Sequence, residues 1–314
     1  MNESQQSLAK DNSETQIPFK TKEEAIAKAE QAKLNGDLET ALLAYVRSLD
    51  FDAEDSQVYL QIARIHAQLG NDELSFKAYQ EVVGLAPQNV EARQAVGVHH
   101  LNQREYIQAK QHLTVALNND QKRLSKQGAK KYQDYRIPDN KSPLLAYNAL
   151  GVIYDMDKLF QKARDCYHLA LLADPKAVNI RSNLGYSFYL SGEYKQAEQQ
   201  FKQAIRQQPE FNRAWTNLGL IYARTQQYER AIKTLKQVMP EYEAYNDLGY
   251  FVMLEGRLTQ AEVFFQKAID LSPRYFKKAQ VNLEQLKILQ NEERISQQDT
   301  PGYGAQELES VGKK

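Results

Sequence analysis

One cysteine, Cys166, stands in 314 residues, so no disulfide can form within the chain and no cysteine cage can hold zinc. No stretch approaches the run of about 20 apolar residues that a membrane-spanning helix needs. Met1 to Lys20 is polar, with neither the apolar core of a secretory leader nor a lipid-accepting cysteine. As written, the chain is expected to be cytoplasmic. Neither sign of charge dominates: 40 Lys and Arg face 40 Asp and Glu, and the pI is near 7.0. The basic footprint of a dedicated nucleic-acid binder is missing, so nucleic acid is not an expected partner. Also missing are the Walker loop, Gly-x-Gly-x-x-Gly, His-Glu-x-x-His and Gly-x-Ser-x-Gly. No cofactor or metal is called for, and an enzyme is not expected.

What is present is a folded composition, 42% hydrophobic and 25% charged. The mean hydropathy of −0.66 is low for a globule and suits an elongated array with much exposed surface. The strongest pattern is a fixed repeat spacing. It relates Leu150-Gly151, Leu184-Gly185 and Leu218-Gly219, and again Ala163, Ala197 and Ala231, and Phe160, Tyr194 and Tyr228. Pro175 and Pro209 close two units at the same phase. Such a period marks stacked helix–turn–helix units, because one helix pair alone cannot bury its apolar face. Small residues at the Gly151 and Ala163 positions let paired helices approach, and proline ends the second helix by removing a backbone donor.

Reading along this phase gives a disordered segment 1–21, three units over 22–123, a basic inserted loop 124–142, four units over 143–275, a capping helix 276–292 and a flexible tail 293–314. The interval from Gly97 to Gly151 holds one repeat plus the insertion. That from Leu218 to Leu248 falls short of a full repeat, so the sixth unit is clipped before Pro240. The capping helix carries Phe276, Ala279, Leu283, Leu286 and Leu289 on one face.

The recurring Leu-Gly, Tyr, Ala, Phe/Leu and Pro pattern resembles the tetratricopeptide repeat (TPR). The resemblance covers residues 22–275 and implies an all-α, right-handed α-solenoid of about seven helix pairs plus the C-terminal cap, used as a scaffold and peptide dock. A carboxylate clamp for chaperone C-termini is mostly missing: the matching phases hold Asn148, Val152, Asn183, Arg213 and Asn217. A narrower likeness is to TadD proteins of tight-adherence (Flp) pilus machines. It rests on Tyr147-Asn148-Ala149-Leu150-Gly151-Val152, Asn183-Leu184-Gly185, Leu190-Ser191-Gly192, Ala244-Tyr245-Asn246-Asp247-Leu248-Gly249-Tyr250 and Leu271-Ser272-Pro273-Arg274-Tyr275. That likeness implies a role in pilus assembly or secretion and, were the start truncated, a place at the periplasmic face of the outer membrane.

Two sets of residues are candidate sites. In TPR arrays the first helices line the concave surface, so Asn183, Tyr186, Tyr189, Asn217, Leu220, Arg224, Asp247, Tyr250 and Met253 are expected to face a partner segment. There the Asn-Asn-Asp ladder would meet backbone groups and the aromatic and Met stripe would bury side chains. The alternative site is the basic insertion, whose Lys122, Arg123, Lys126, Lys130, Lys131 and Arg136 could meet an anionic partner or membrane surface. A solvated loop is the plainer reading of the same charges. His66 and His100 occupy equivalent phases and read as core or half-buried residues, while His112 and His168 read as isolated surface residues. Cys166 reads as a packed thiol, with no general base beside it.

Overall fold

A computed structural model describes residues 19–298. Of the segment 1–21 expected to be disordered, residues 1–18 lie outside the described residues; of the tail expected over 293–314, residues 293–298 are instead helical, because the last helix runs on past 292, and the rest lies outside the described residues. Fifteen helices form the described chain, with one short β-hairpin among them, and the fold class is all-α. Among the described residues no helix is long and apolar enough to cross a membrane.

The chain divides into two compact units at Pro175/Lys176. The first holds four helical hairpins: α1 (Lys22–Leu34) with α2 (Leu38–Ser48), α3 (Ser56–Gln68) with α4 (Asp72–Leu85), α5 (Val90–Asn102) with α6 (Tyr106–Lys126), and α7 (Leu144–Met156) with α8 (Phe160–Ala173). The second holds α9 (Val178–Leu190) with α10 (Tyr194–Gln207), α11 (Asn212–Arg224) with α12 (Tyr228–Leu235), and α13 (Glu241–Leu254) with α14 (Leu258–Leu271). Helix α15 (Lys277–Gln298) follows and packs on α14 and α13.

Every hairpin turns in the same way. After Gln68 ends α3, Asn71 N–H donates to His66 C=O (2.9 Å) and Gly70 N–H to Ala67 C=O (3.2 Å), which is the Schellman closure. The residue at its centre takes a left-handed φ, at Gly36, Gly70, Gly192 and Gly256, but also at Arg104, Lys158 and Gln226.

A second rule sets how closely the two helices of a hairpin pack. Gly97, Gly151, Gly185, Gly219 and Gly249 each sit against a large side chain of the facing helix, always at the same offset: Leu113, Tyr167, Phe201, Leu235 and Phe265. A Cβ at any of these glycines would lie 2.4 to 2.8 Å from that side chain. All five partners are fully buried. In the first two hairpins the corresponding positions hold Ala29 with Tyr45 and Ala63 with Tyr79, all buried.

The insertion is built more firmly than a loop. Helix α6 continues through Lys126, taking in its first residues, and Lys131–Tyr132 pairs antiparallel with Tyr135–Arg136. Gln121 of α6 reads the hairpin's backbone, accepting from Arg136 N–H (2.7 Å) and donating to its C=O (3.0 Å). Beneath it Asp120, fully buried, accepts from Tyr147 Oη (3.0 Å) and pairs with Arg123 (2.6 Å), which also holds Asp139 (2.7 Å). That guanidinium keeps the Asp139 carboxyl well below the usual carboxylate range.

Candidate partner-binding face

Three first helices of the second unit, α9, α11 and α13, carry the expected face, with α11 packed against both α9 and α13. Position relative to the packing glycine decides what each residue does. The next residue along, about 100° around the helix, is turned away from the paired helix. These residues are Tyr186, Leu220 and Tyr250; the two tyrosines are 40% and 41% exposed, and Leu220 is half-buried. The residue four beyond the glycine returns to its buried side. Accordingly Met253, four after Gly249, is buried at 8% exposure and belongs to the same core cluster as Leu258, Leu283 and Leu286. It is not open to a partner, which corrects its expected place on the face. Tyr189, four after Gly185, is half-buried and raised in pKa by burial.

The aromatic residues form a row. Tyr186 stacks on Tyr189 (5.6 Å between centroids, 22° between planes), and Tyr189 meets Tyr194 at 5.8 Å. Arg224 anchors its end: Nε donates to Tyr194 Oη (3.0 Å) and the guanidinium pairs with Glu255. Those partners, the Glu255 carboxylate first, raise the Arg224 pKa. Arg224 is therefore a strut for the tyrosine row as much as a surface charge.

The polar ladder is also used internally. Asn183 Oδ1 accepts from Arg213 (2.7 Å), which donates to Asn179 C=O as well (3.1 Å). Asp247 accepts from Lys278 (2.9 Å) and from Asn246 (3.1 Å). Asn217 has only a long contact, 3.5 Å, to Ser182 Oγ. The Asn183 and Asn217 contacts tie α9 to α11 and the Asp247–Lys278 bond ties α13 to α15, which leaves the ladder part brace, part acceptor row. The face thus offers two half-exposed phenol rings beside carboxylate and amide acceptors, a combination suited to holding a peptide segment.

In the basic insertion the six cations separate into two kinds. Arg123 is committed to Asp120 and Asp139, and Arg136 donates to Ala129 C=O (2.8 Å) while its strand closes the hairpin. Lys122, Lys126, Lys130 and Lys131 are exposed. The sequence could not separate them, because Asp139 and Ser142, which hold Arg123 beside its near neighbour Asp120, lie in a segment without a repeat template.

Among the described residues no group of three His, Cys, Asp or Glu converges as a metal site. Cys166 is buried, and desolvation pushes its thiol up to about 12, the direction opposite to that of a nucleophile. His112, expected to be an isolated surface residue, is half-buried. It accepts from Arg93 (3.2 Å) and lies 5.5 Å from the His100 ring. Burial, then Arg93 and His100, lower its pKa to about 4. His99 stacks on Phe76 at 3.7 Å.

Sequence models of the tetratricopeptide repeat match residues 182–240 and, in a second form, residues 56–89 and 242–275. No curated protein matches the sequence. Among solved structures, a tetratricopeptide repeat protein from Parabacteroides merdae is 16% identical, over 86% of this chain and 100% of that one, with a TM-score of 0.53. MamA from Desulfovibrio magneticus RS-1 is 18% identical, over 62% of this chain and 98% of that one, with a TM-score of 0.46. YrrB, a TPR protein with an unusual peptide-binding site, is 17% identical, over 69% of this chain and 95% of that one, with a TM-score of 0.47. At such identities the Parabacteroides merdae protein shows a shared fold. The chain carries tetratricopeptide repeats in both of its units.

Proposed function

We propose that this protein is a non-catalytic scaffold whose α9–α11–α13 face binds a segment of a partner protein. The observation that carries the reading is the pair Tyr186 and Tyr250. Both follow a packing glycine, so the hairpins do not need them for closure, and both are left about two-fifths exposed on first helices. Tyrosine is over-represented among residues that dominate binding energy. The partner class we put forward, from the TadD likeness of residues 143–286, is a component of a Flp/Tad-type pilus or secretion system. Capture from native lysate with the intact chain and with Tyr186→Ala/Tyr250→Ala tests this. The variant should lose its partner by roughly tenfold or more, about 1.4 kcal/mol or more, with its helical circular dichroism unchanged. Equal capture by both chains would remove the face from consideration.

A second reading rests on the four exposed lysines of the insertion, which could bind an anionic protein or membrane surface. Replacing Lys122, Lys126, Lys130 and Lys131 with Glu leaves the Arg123–Asp120–Asp139 brace in place. If this reading holds, the replacement abolishes a salt-sensitive interaction with anionic vesicles. Unaltered vesicle binding would sink it.

A further inference from the structure

The clipped sixth hairpin leaves a pocket that no repeat rule asks for. Helix α12 has eight residues where α10 and α14 have 14, and it gives way to a turn at Lys236. Between α12, α13 and α14 lies a cavity of about 460 Å³, within the range that holds small ligands or an inserted side chain.

Its walls are aromatic and its rim is basic. Tyr228 meets Phe264 edge to face (5.2 Å, 68°), and Tyr245 lies over the same ring at 6.4 Å. Arg257 donates to Tyr228 Oη (2.9 Å), which fixes that wall. Val263, 60% exposed, opens the mouth. Lys267 stands over the Tyr245 ring at 4.4 Å, and the exposed Lys233 forms no ion pair among the described residues. Lys236 is engaged with Glu241 (2.9 Å), and Glu229 is the one acidic residue lining the cavity.

We propose that this pocket, on the second-helix side of the array, binds an acidic peptide segment that inserts one large apolar side chain between the rings. Its flanking carboxylates would meet Lys233 and Lys267. Charge complementarity argues for the acidic flanks, since Lys233 and Lys267 outnumber Glu229 in the lining while Lys236 is already paired with Glu241. The aromatic walls argue for a ring or large aliphatic group at the centre. This site is separate from the Tyr186/Tyr250 face, and each can fail without the other.

The probe is a dye-labelled Asp-Glu-Phe-Asp-Glu peptide, titrated with the full chain by fluorescence anisotropy at low and at physiological salt. Asp-Glu-Ala-Asp-Glu and Lys-Lys-Phe-Lys-Lys serve as controls. Binding should weaken tenfold or more for either control, and likewise for Val263→Glu and for Lys233→Glu/Lys267→Glu. These are exposed helix positions, so the variants should keep the parent's unfolding midpoint. Tyr186→Ala/Tyr250→Ala should bind the probe as the parent does. No saturable binding of the Phe peptide, or equal affinity in both pocket variants, overturns the proposal. Equal binding of the Ala peptide overturns the inserted side chain and leaves only a charged surface.

Discussion

Replacing Gly151 with Ala should destabilise this protein, although the same change in an open helix would stabilise it. An alanine Cβ there would stand 2.4 Å from Tyr167 Cε1 and 2.7 Å from Cζ, where carbon atoms normally rest about 3.5–4.0 Å apart. The ring cannot swing aside cheaply. Tyr167 is 1% exposed, and its Oη is held by Asp155 Oδ2 at 2.9 Å. Overpacking of this kind costs about 1–3 kcal/mol. The helix-propensity gain of Ala over Gly returns about 1 kcal/mol at most. Because the overlap is deep and the ring anchored, the upper part of that range applies, for a net loss of about 1–2 kcal/mol. In a unit of this size the loss corresponds to a fall of about 2–8 °C in melting temperature. Thermal and urea unfolding followed by circular dichroism would measure it. Gly84→Ala is the control: Gly84 is helical with nothing within 4 Å of its built Cβ, so it should gain up to about 1 kcal/mol. A Gly151→Ala protein as stable as the parent, beside a stabilised Gly84→Ala, would refute the reasoning. The double variant Gly151→Ala/Tyr167→Leu should recover part of the loss, a non-additive result that only contact between the two side chains explains.

Other outcomes follow from the same geometry. Lys158→Gly and Arg104→Gly relieve left-handed backbone at hairpin turns and should each raise stability, read from the unfolding midpoint, by about 0.5–1 kcal/mol. Arg123→Ala strips the buried Asp120 of its ion pair and should cost about 3 kcal/mol, read from the urea midpoint of the full chain. The His112 pKa is lowered in the folded state, so its contribution is fully present above the unfolded value of about 6.5 and is lost as pH falls toward 4. After allowance for partial exposure, acidification across that window should remove about 1–2 kcal/mol in the parent and less in His112→Gln.

The periodic part of this fold could be read from residue spacing because the packing that fixes it is itself periodic. Leu150-Gly151 and Leu184-Gly185 show in one dimension the contacts with Tyr167 and Phe201. The Gly36, Gly70, Gly192 and Gly256 turns could be read for the same reason. Their equivalents at Arg104, Lys158 and Gln226 could not, since backbone closure there overrides the side-chain preference that marks a turn. The expected place of Met253 on the face fails because a residue four beyond a packing glycine shares its buried side, which spacing along a single helix does not show without the partner helix. The insertion gave its charges but not its wiring. Nothing in local spacing tells that Gln121 will clasp Arg136, or that Arg123 will serve Asp139 while Lys122 stays in water. The pocket beside Phe264 was hidden for a related reason. The shortened spacing from Leu218 to Leu248 was visible, but the pocket's walls come from two hairpins, and spacing within one repeat does not show how Tyr228 meets Phe264.

The packing glycine and its partner on the facing helix divide each repeat into a part that must keep its length and a part that need not. Both irregularities of the chain fall in the second part. The insertion follows Leu113 and starts within the last turn of α6, and the clipped segment follows Leu235 at the end of α12. Upstream of the partner, one added or lost residue would turn every later side chain by about 100° and unseat the ring from its glycine. Past the end of the second helix, residues can come and go without moving that contact. The exit of the second helix is therefore the place where this architecture accepts new sequence, and the basic hairpin stands there.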